Sequence, residues 1–494
     1  MFLGIDIGTS GVKGVLLDRA DSVIAQATSP LEISRRQPGW SEQNPADWWQ
    51  ATNDVVRQLA SRDAHSIAAI EGIGLTGQMH GATLLDANDA VLRPAILWND
   101  GRSDAECREL EKRVPDARRL TGNLAMPGFT APKLIWVREH EPEIFARVAR
   151  VLLPKDFVRL QMSGEYATDL SDASGTLWID VERRCWSESM LEACGLGVDE
   201  MPSLYEGPEI TGRLRHQVAQ RWGCGEVPIV AGAGDNAAGA VGVGVVHPGR
   251  AFLSLGTSGV YFVASDSFRP DPEHAVHAFC HALPNQWHQM SVLLSAASCL
   301  EWVAKLTHAK SVASLLDEIE HSDRTSDRLL FLPYLSGERT PHNDANATGV
   351  FIGMDHETDR ARLGRAVLEG VAFAFADAQR VLLDSGSPID SVSVIGGGTR
   401  SKLWGQILAS ALDRRLVYRR GAEVGPALGA ARLARLGILG EPIDECCQEL
   451  EEEFVIEPDP SLVDGYRGRI DRFRSLYPTL RATFQNEAIQ SQET

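Results

Sequence analysis

The string Gly-Thr-Ser-Gly-Val occurs twice in this 494-residue chain, at residues 8–12 and at residues 256–260, an offset of 248 residues or about half its length. Each copy interrupts two apolar runs of strand character, residues 2–7 and 12–17 around the first and residues 251–255 and 260–263 around the second. A glycine-rich turn returning at half the chain, each time between matching strands, points to duplication of a whole folding unit. Two similarly built α/β halves are therefore expected, 1–246 and 247–494, with a boundary near His247-Pro248-Gly249. A hydrophobic content of 44% is enough for a core in each.

The repeated turn also has a chemistry. Its glycines permit a tight turn whose successive backbone N–H groups converge on an anion, and Thr9 and Ser10 add hydroxyl donors. Asp6 closes the run before the first turn. A carboxylate facing a phosphate pocket makes sense when a divalent cation, usually Mg²⁺, sits between the two. In the second copy the equivalent place is Ser254, so one hairpin keeps a metal-linked carboxylate and the other does not. That is the pattern expected of two hairpins gripping one nucleotide from opposite sides.

A net charge of −19 and a pI near 5.2 exclude the basic face that nucleic acid or an anionic membrane would need. No apolar run approaches the roughly 20 residues of a membrane span. With a strand starting at residue 2, the expected setting is the cytoplasm. Eight cysteines without a C-x-x-C pair read as reduced thiols rather than a disulfide framework or a zinc site.

In chain order, residues 45–61 read as a helix capped by Asn44 with Pro45 in its first turn. A buried strand at 69–75 delivers Thr76-Gly77-Gln78-Met79-His80-Gly81 to its end, where α/β sheets bind ligands. Gln78 and His80 are candidates to hydrogen-bond a polar substrate and Met79 to cover its carbon face; for His80 a purely structural role stays open. Residues 152–156 and 167–176 read as donor-rich loops whose carboxylates cap helices or meet a ligand. The strand 227–231 opens into Gly232-Ala233-Gly234-Asp235-Asn236, which sets a carboxylate and an amide at a strand mouth. Asp235 there suits the taking of a hydroxyl proton and Asn236 the orienting of the hydroxyl's owner, the alternative being a helix cap. Arg339 either pairs with an acidic neighbour or meets a phosphate. Strand 391–395 ends in Gly396-Gly397-Gly398-Thr399-Arg400-Ser401 before a helix, a turn that lets a phosphate or flat ring approach the backbone. Residues 425–431 form a small-residue helix start expected behind the nucleotide. The acidic run 449–453 reads as solvated helix surface.

These segments together, GIDIGTSGVK (4–13), GQMHGATLLD (77–86), ILWNDGR (96–102), GDNAAGAVG (234–242), LSLGTSG (253–259), FLPYLSGERTPH (331–342), IGGGTRS (395–401) and GPALGAA (425–431), resemble the FGGY carbohydrate kinases. That resemblance implies an α/β chain of two duplicated ribonuclease H-like, actin-like ATPase domains with a cleft between them. It implies sugar binding, the catalytic aspartate and the first phosphate hairpin in 1–246, and nucleotide binding in 247–494. Stretches 78–81 and 124–133 are most similar to members acting on D-xylulose. The implied reaction is ATP-dependent phosphorylation of its 5-hydroxyl with Mg²⁺, giving D-xylulose 5-phosphate within xylose catabolism ahead of the pentose phosphate pathway. By the same resemblance Asp235 is the catalytic base and Asp6 a catalytic, metal-proximal carboxylate. Met79, His80, Asp235 and Asn236 contact the sugar, and Thr9, Thr257, Gly397 and Ser401 the nucleotide. A homodimer is one assembly this leaves open. Two rivals stand beside it: a kinase for ribulose, gluconate or glycerol, and a sugar sensor keeping the fold without catalysis.

Overall fold

The computed structural model describes residues 1–322, 328–396, 401–421 and 425–492, with side chains to residue 485. Its framework is two seven-stranded sheets. The first contains β1 (Phe2–Ile7), β2 (Gly11–Leu17), β3 (Val23–Pro30), β4 (Gly72–Gly77), β5 (Ile210–Arg213), β6 (Pro228–Val230) and β7 (Ala233–Gly234), in the order β5-β6-β4-β1-β2-β3 with β7 also on β4. The second contains β8 (Arg250–Leu255), β9 (Gly259–Ser265), β10 (His277–Cys280), β11 (Trp287–Leu293), β12 (Ser391–Ile395), β13 (Leu416–Arg419) and β14 (Glu452–Ile456), in the order β10-β11-β9-β8-β12-β13-β14.

Strand directions repeat as well. The antiparallel hairpin β1/β2 matches β8/β9, and β4 lies parallel to β1 as β12 does to β8. A further parallel strand follows on each side, β6 on β4 and β13 on β12, and an antiparallel edge closes each sheet, β5 and β14. The repeated string thus marks a repeated topology.

Nine helices carry the argument below: α1 (Pro45–Arg62), α2 (Thr130–His140), α3 (Pro154–Ser163), α4 (Leu170–Ser174), α5 (Asp235–Val243), α6 (Ala297–Leu306), α7 (Arg360–Asp384), α8 (Lys402–Leu412) and α9 (Gly425–Leu439). In α1 the Asn44 side chain accepts from Ala46 N–H, and Trp48, Thr52, Val55 and Leu59 recur at helical spacing on the buried face, which covers β2 and β3. α7 is buried along most of its length among the helices and strands of the second half, and Asp359 caps its start.

Three segments differ from their expected form. The acidic run at 449–453 leads into the edge strand β14, because Phe454, Val455 and Ile456 pair with Tyr418, Val417 and Leu416; exposed acids at its start suit an unpaired sheet edge. Residues 154–163 are helical, and 167–176 hold a short strand and α4. The helix start expected at 425–431 forms as α9, which lies on the first sheet, against β1, β4 and α5, although it follows β13 of the second. Small residues decide this: a Cβ on Gly4 would lie 1.9 Å from the Ala427 carbonyl oxygen, and one on Gly74 equally close to that of Ala430. Arg432 of α9 then donates to the Val241 and Gly242 carbonyls at the end of α5 and pairs with Asp21. The halves are joined where α5 and α9 cross.

Candidate active site

The register of the first sheet brings its two key carboxylates together. Asp6 stands opposite Thr76 of β4, Thr76 stands opposite Ala233 of β7, and Asp235 begins α5 one residue past β7. Both aspartates are half-buried at parallel strand ends. Burial first, and then the charge of Asp235, lifts the Asp6 carboxyl to about 7, while Lys13 across the hairpin pulls it down. Burial lifts Asp235 to about 6 against the pull of Asn236. The Asn236 backbone N–H (2.7 Å) and side-chain amide (2.9 Å) both donate to Asp235 Oδ1, so Oδ2 is the oxygen left for a hydroxyl. Asp235 is the first residue of α5, whose cap position is Gly234, so the backbone N–H its carboxylate takes is that of the next helical residue.

The two glycine tips share a sequence but are closed and braced differently. Gly8 N–H donates to Gly11 O and Gly256 N–H to Ser258 O, each at 3.1 Å, which leaves the N–H groups of residues 9 and 10 and of 257 and 258 at the tips. Behind the first tip, Gln43 Nε2 donates to the Thr9 carbonyl at 2.8 Å. Behind the second, Ala296 and Ala297 at the start of α6 donate to the carbonyls of Thr257 and Gly256. The Thr9 hydroxyl donates to Gln78 Oε1 (2.8 Å) and accepts from Trp98 Nε1 (2.9 Å), so Thr9 offers its backbone rather than its hydroxyl at the tip. Thr257 is exposed. Ser401 accepts from Trp404 N–H as the cap of α8. Gly397 lies outside the described residues.

Just past β4, His80 sits in the left-handed region at φ +70°. Such a backbone persists where its surroundings over-determine it. Here the Thr130 hydroxyl and Lys133 Nζ of α2 hold the His80 carbonyl at 3.2 and 2.9 Å, and Nδ1 meets the Gly175 carbonyl at 2.6 Å. Burial, helped by Lys133, lowers the imidazole to about 3, so it is neutral. A neutral ring against a carbonyl must carry its proton on Nδ1, which makes Nε2 an acceptor. Met79 is buried: a Cβ on Gly234 would lie 3.0 Å from its Sδ and one on Gly175 2.8 Å from its Cε. The same apolar cluster takes Phe129 and, from the second half, Val260 at the second hairpin and Val292, so the second hairpin packs at the Met79 end of the first half.

Sequence reasoning placed Gln78 on the substrate, whereas its amide is spent behind the hairpin on Thr9 and Gln43. It missed the second half's contribution. Asn123 donates to the Thr121 and Ala278 carbonyls, its Oδ1 takes His277 Nδ1–H at 2.9 Å, and Arg339 reaches His277 Nε2 at 3.4 Å. Phe129 stands edge-on to both His80 and His277. The Arg339 guanidinium meets the His277 imidazole, with the charge of Glu338 acting on it as well.

No cluster of three or more His, Cys, Asp or Glu side chains fit to hold a metal ion occurs among the described residues. The Asp6 Oδ1 atom is buried without a hydrogen-bond partner. One carboxylate oxygen with spare capacity beside phosphate-binding N–H groups fits Mg²⁺, which keeps most of its waters and takes its other ligands from phosphate.

Two like-folded α/β halves, each turning a glycine tip to a shared cleft that holds two carboxylates, define a two-domain kinase fold of the actin-like ATPase type. The chain belongs to the FGGY family of carbohydrate kinases: the model of that family's N-terminal domain matches residues 1–242 and that of its C-terminal domain residues 251–437. It is 55% identical to a xylulose kinase of Escherichia coli over 481 residues, 97% of this chain and 99% of the relative. The solved structure of a xyloylose kinase from Brucella ovis superposes with a TM-score of 0.95 at 49% identity, covering 97% of this chain and 99% of that one. A gluconate kinase from Lactobacillus acidophilus shares the fold with a TM-score of 0.92 at 23% identity, over 98% and 99% of the two chains.

Proposed function

We propose that this kinase transfers the γ-phosphoryl group of ATP to the 5-hydroxyl of D-xylulose, with Asp235 as general base. The observation that carries the reading is Asp235 itself: a half-buried carboxylate with a free Oδ2, titrating near 6, at a strand end beside Asp6 and one residue past the glycine that packs on Met79. As the hydroxyl oxygen bonds to the γ-phosphorus, its proton passes to Asp235, the bond from that phosphorus to the bridging oxygen breaks, and ADP leaves. Met79, the His80 Nε2 acceptor, Asp235 and Asn236 contact the sugar. The tips at Thr9 and Thr257 hold the phosphates, with Ser401 and Gly397 on the nucleotide side. Asp6 would hold Mg²⁺, which neutralises phosphate charge when bound. The sugar, the base and the first hairpin thus belong to 1–246 and the nucleotide to 247–494. D-xylulose 5-phosphate, the product, would enter the pentose phosphate pathway, and a cytoplasmic setting follows from the ATP donor.

The choice of D-xylulose rests on the relatives, since a gluconate kinase has the same fold. ADP release with MgATP is measured with D-xylulose, D-ribulose, L-ribulose, glycerol, gluconate and no sugar. A rate set by D-xylulose is expected; a faster rate with another sugar would overturn the specificity and leave the base in place. Asp235→Ala is expected to lose turnover by about a thousandfold or more while still binding MgATP.

A further inference from the structure

Directly behind the base lies a sealed ionic cluster that the reaction does not use. Lys155 of α3 is fully buried and places Nζ 2.7 Å from Asp156, 2.8 Å from Asp169 and 3.3 Å from Asp172, all three equally buried. Asp169 Oδ2 accepts from the backbone N–H groups of Ser171 (2.7 Å) and Asp172 (3.1 Å) and from the Ser171 hydroxyl. The Ser171 oxygen in turn accepts from Gly234 N–H at 3.1 Å, one residue before Asp235. Arg159, also fully buried, donates to the Val230 and Ala231 carbonyls, the former at 2.8 Å. The segment delivering Asp235 is gripped at both ends from α3 and α4. The residue after α4 is Gly175, whose carbonyl fixes His80.

We infer that the Lys155–Asp169–Ser171 chain is a positioning device that sets the spacing of Asp235 and His80 across the sugar. It rests on the proposed roles of those two residues. One five-residue helix, α4, touches the flank of each, so any tilt of α4 moves base and sugar acceptor relative to one another. Met79, wedged on Gly175 and Gly234, fills the gap between them. Stability alone is a poor reason for the cluster, because apolar residues of similar size commonly serve a buried site as well as an ion network does. What fixed charges add is one geometry. Burial pushes the Asp172 carboxyl well above the usual carboxylate range, and Lys155 pulls it back.

The test uses the full-length Ser171→Ala and Asp169→Asn variants, with kcat, the KM for each substrate and the melting temperature measured beside the wild type. Expected is a folded Ser171→Ala protein with kcat reduced roughly 10- to 100-fold, a raised KM for D-xylulose and an unchanged KM for MgATP. Wild-type constants, a lower melting temperature with wild-type constants, or equal rises in both KM values would each overturn the inference. If Asp169→Asn does not fold, Ser171→Ala decides alone. A wild type inactive on D-xylulose would refute the substrate reading only, and the variants are then read on whichever sugar of the panel turns over.

Discussion

His80, Asp6 and Asp235 show how much of the site is set by the surroundings of single residues. A histidine after a strand gives no hint of its tautomer; the Gly175 carbonyl, 95 residues on, assigns it. As the proposed base, the carboxyl of Asp235 acts only when ionised, and burial has lifted it to about 6. On this basis kcat/KM falls as pH drops through about 6, close to tenfold per unit below it. A rate profile from about pH 5 to about pH 8 checks this, and an acidic limb near the ordinary carboxylate value would contradict it. Asp6 gives a stability prediction of the opposite sense. Its folded carboxyl titrates near 7 against 3.8 in an open chain, so between those values the folded state still holds a proton that the unfolded state has released. The fold therefore loses stability as pH rises through that window, and the cost is complete above it. Asp6→Asn removes the cost: the variant should be more stable than the wild type at about pH 8, by on the order of 4 kcal/mol at most and read as a higher melting temperature, with the gap closing toward about pH 4. Activity should be lost in the same variant.

Among the elements, the crossing of α5 and α9 is the most sensitive to change. A Cβ on Gly429 would lie 1.8 Å from the Ala238 carbonyl oxygen, a backbone atom that cannot turn aside. Gly429→Ala should force the helices apart and cost about 3 kcal/mol or more, read as a lower melting temperature. Gly468, in the helix Pro460–Gln492, has no atom near its absent Cβ. Gly468→Ala should stabilise by roughly 0.5–1 kcal/mol through helix propensity alone. Equal effects from the two substitutions would show that close packing is not what the first glycine serves. The elements read correctly from sequence are those with strong local signals, such as α1 with its cap and apolar stripe, and β1 with its unbroken apolar run. The misread ones lacked such signals. Neither the short helix α4 nor the acidic start of β14 has a periodic pattern of its own, and each is fixed by what packs or pairs against it.

The whole molecule is two copies of one topology, joined where α9 returns to the first sheet and Arg432 ties it to α5 and Asp21. On the proposed reading, a sugar held by one half and phosphates held by both need the halves to approach before transfer, because water must be shut out between them. Small-angle scattering should therefore show a smaller radius of gyration with D-xylulose and a non-hydrolysable ATP analogue together than with neither; identical curves would mean a preformed cleft. By itself the sequence determined the duplication, the two glycine tips and the pair of aspartates, because strand runs, tight turns and the residue at a strand's end are local properties that neighbours in the chain dictate. Tertiary structure alone decided the half on which α9 lands, the diversion of the Thr9 hydroxyl to Gln78, the tautomer of His80, the raised carboxyls of Asp6 and Asp235, and the sealing of Lys155 among three aspartates. Each of these depends on burial and on partners brought together from distant parts of the chain, and no local pattern encodes which groups will meet.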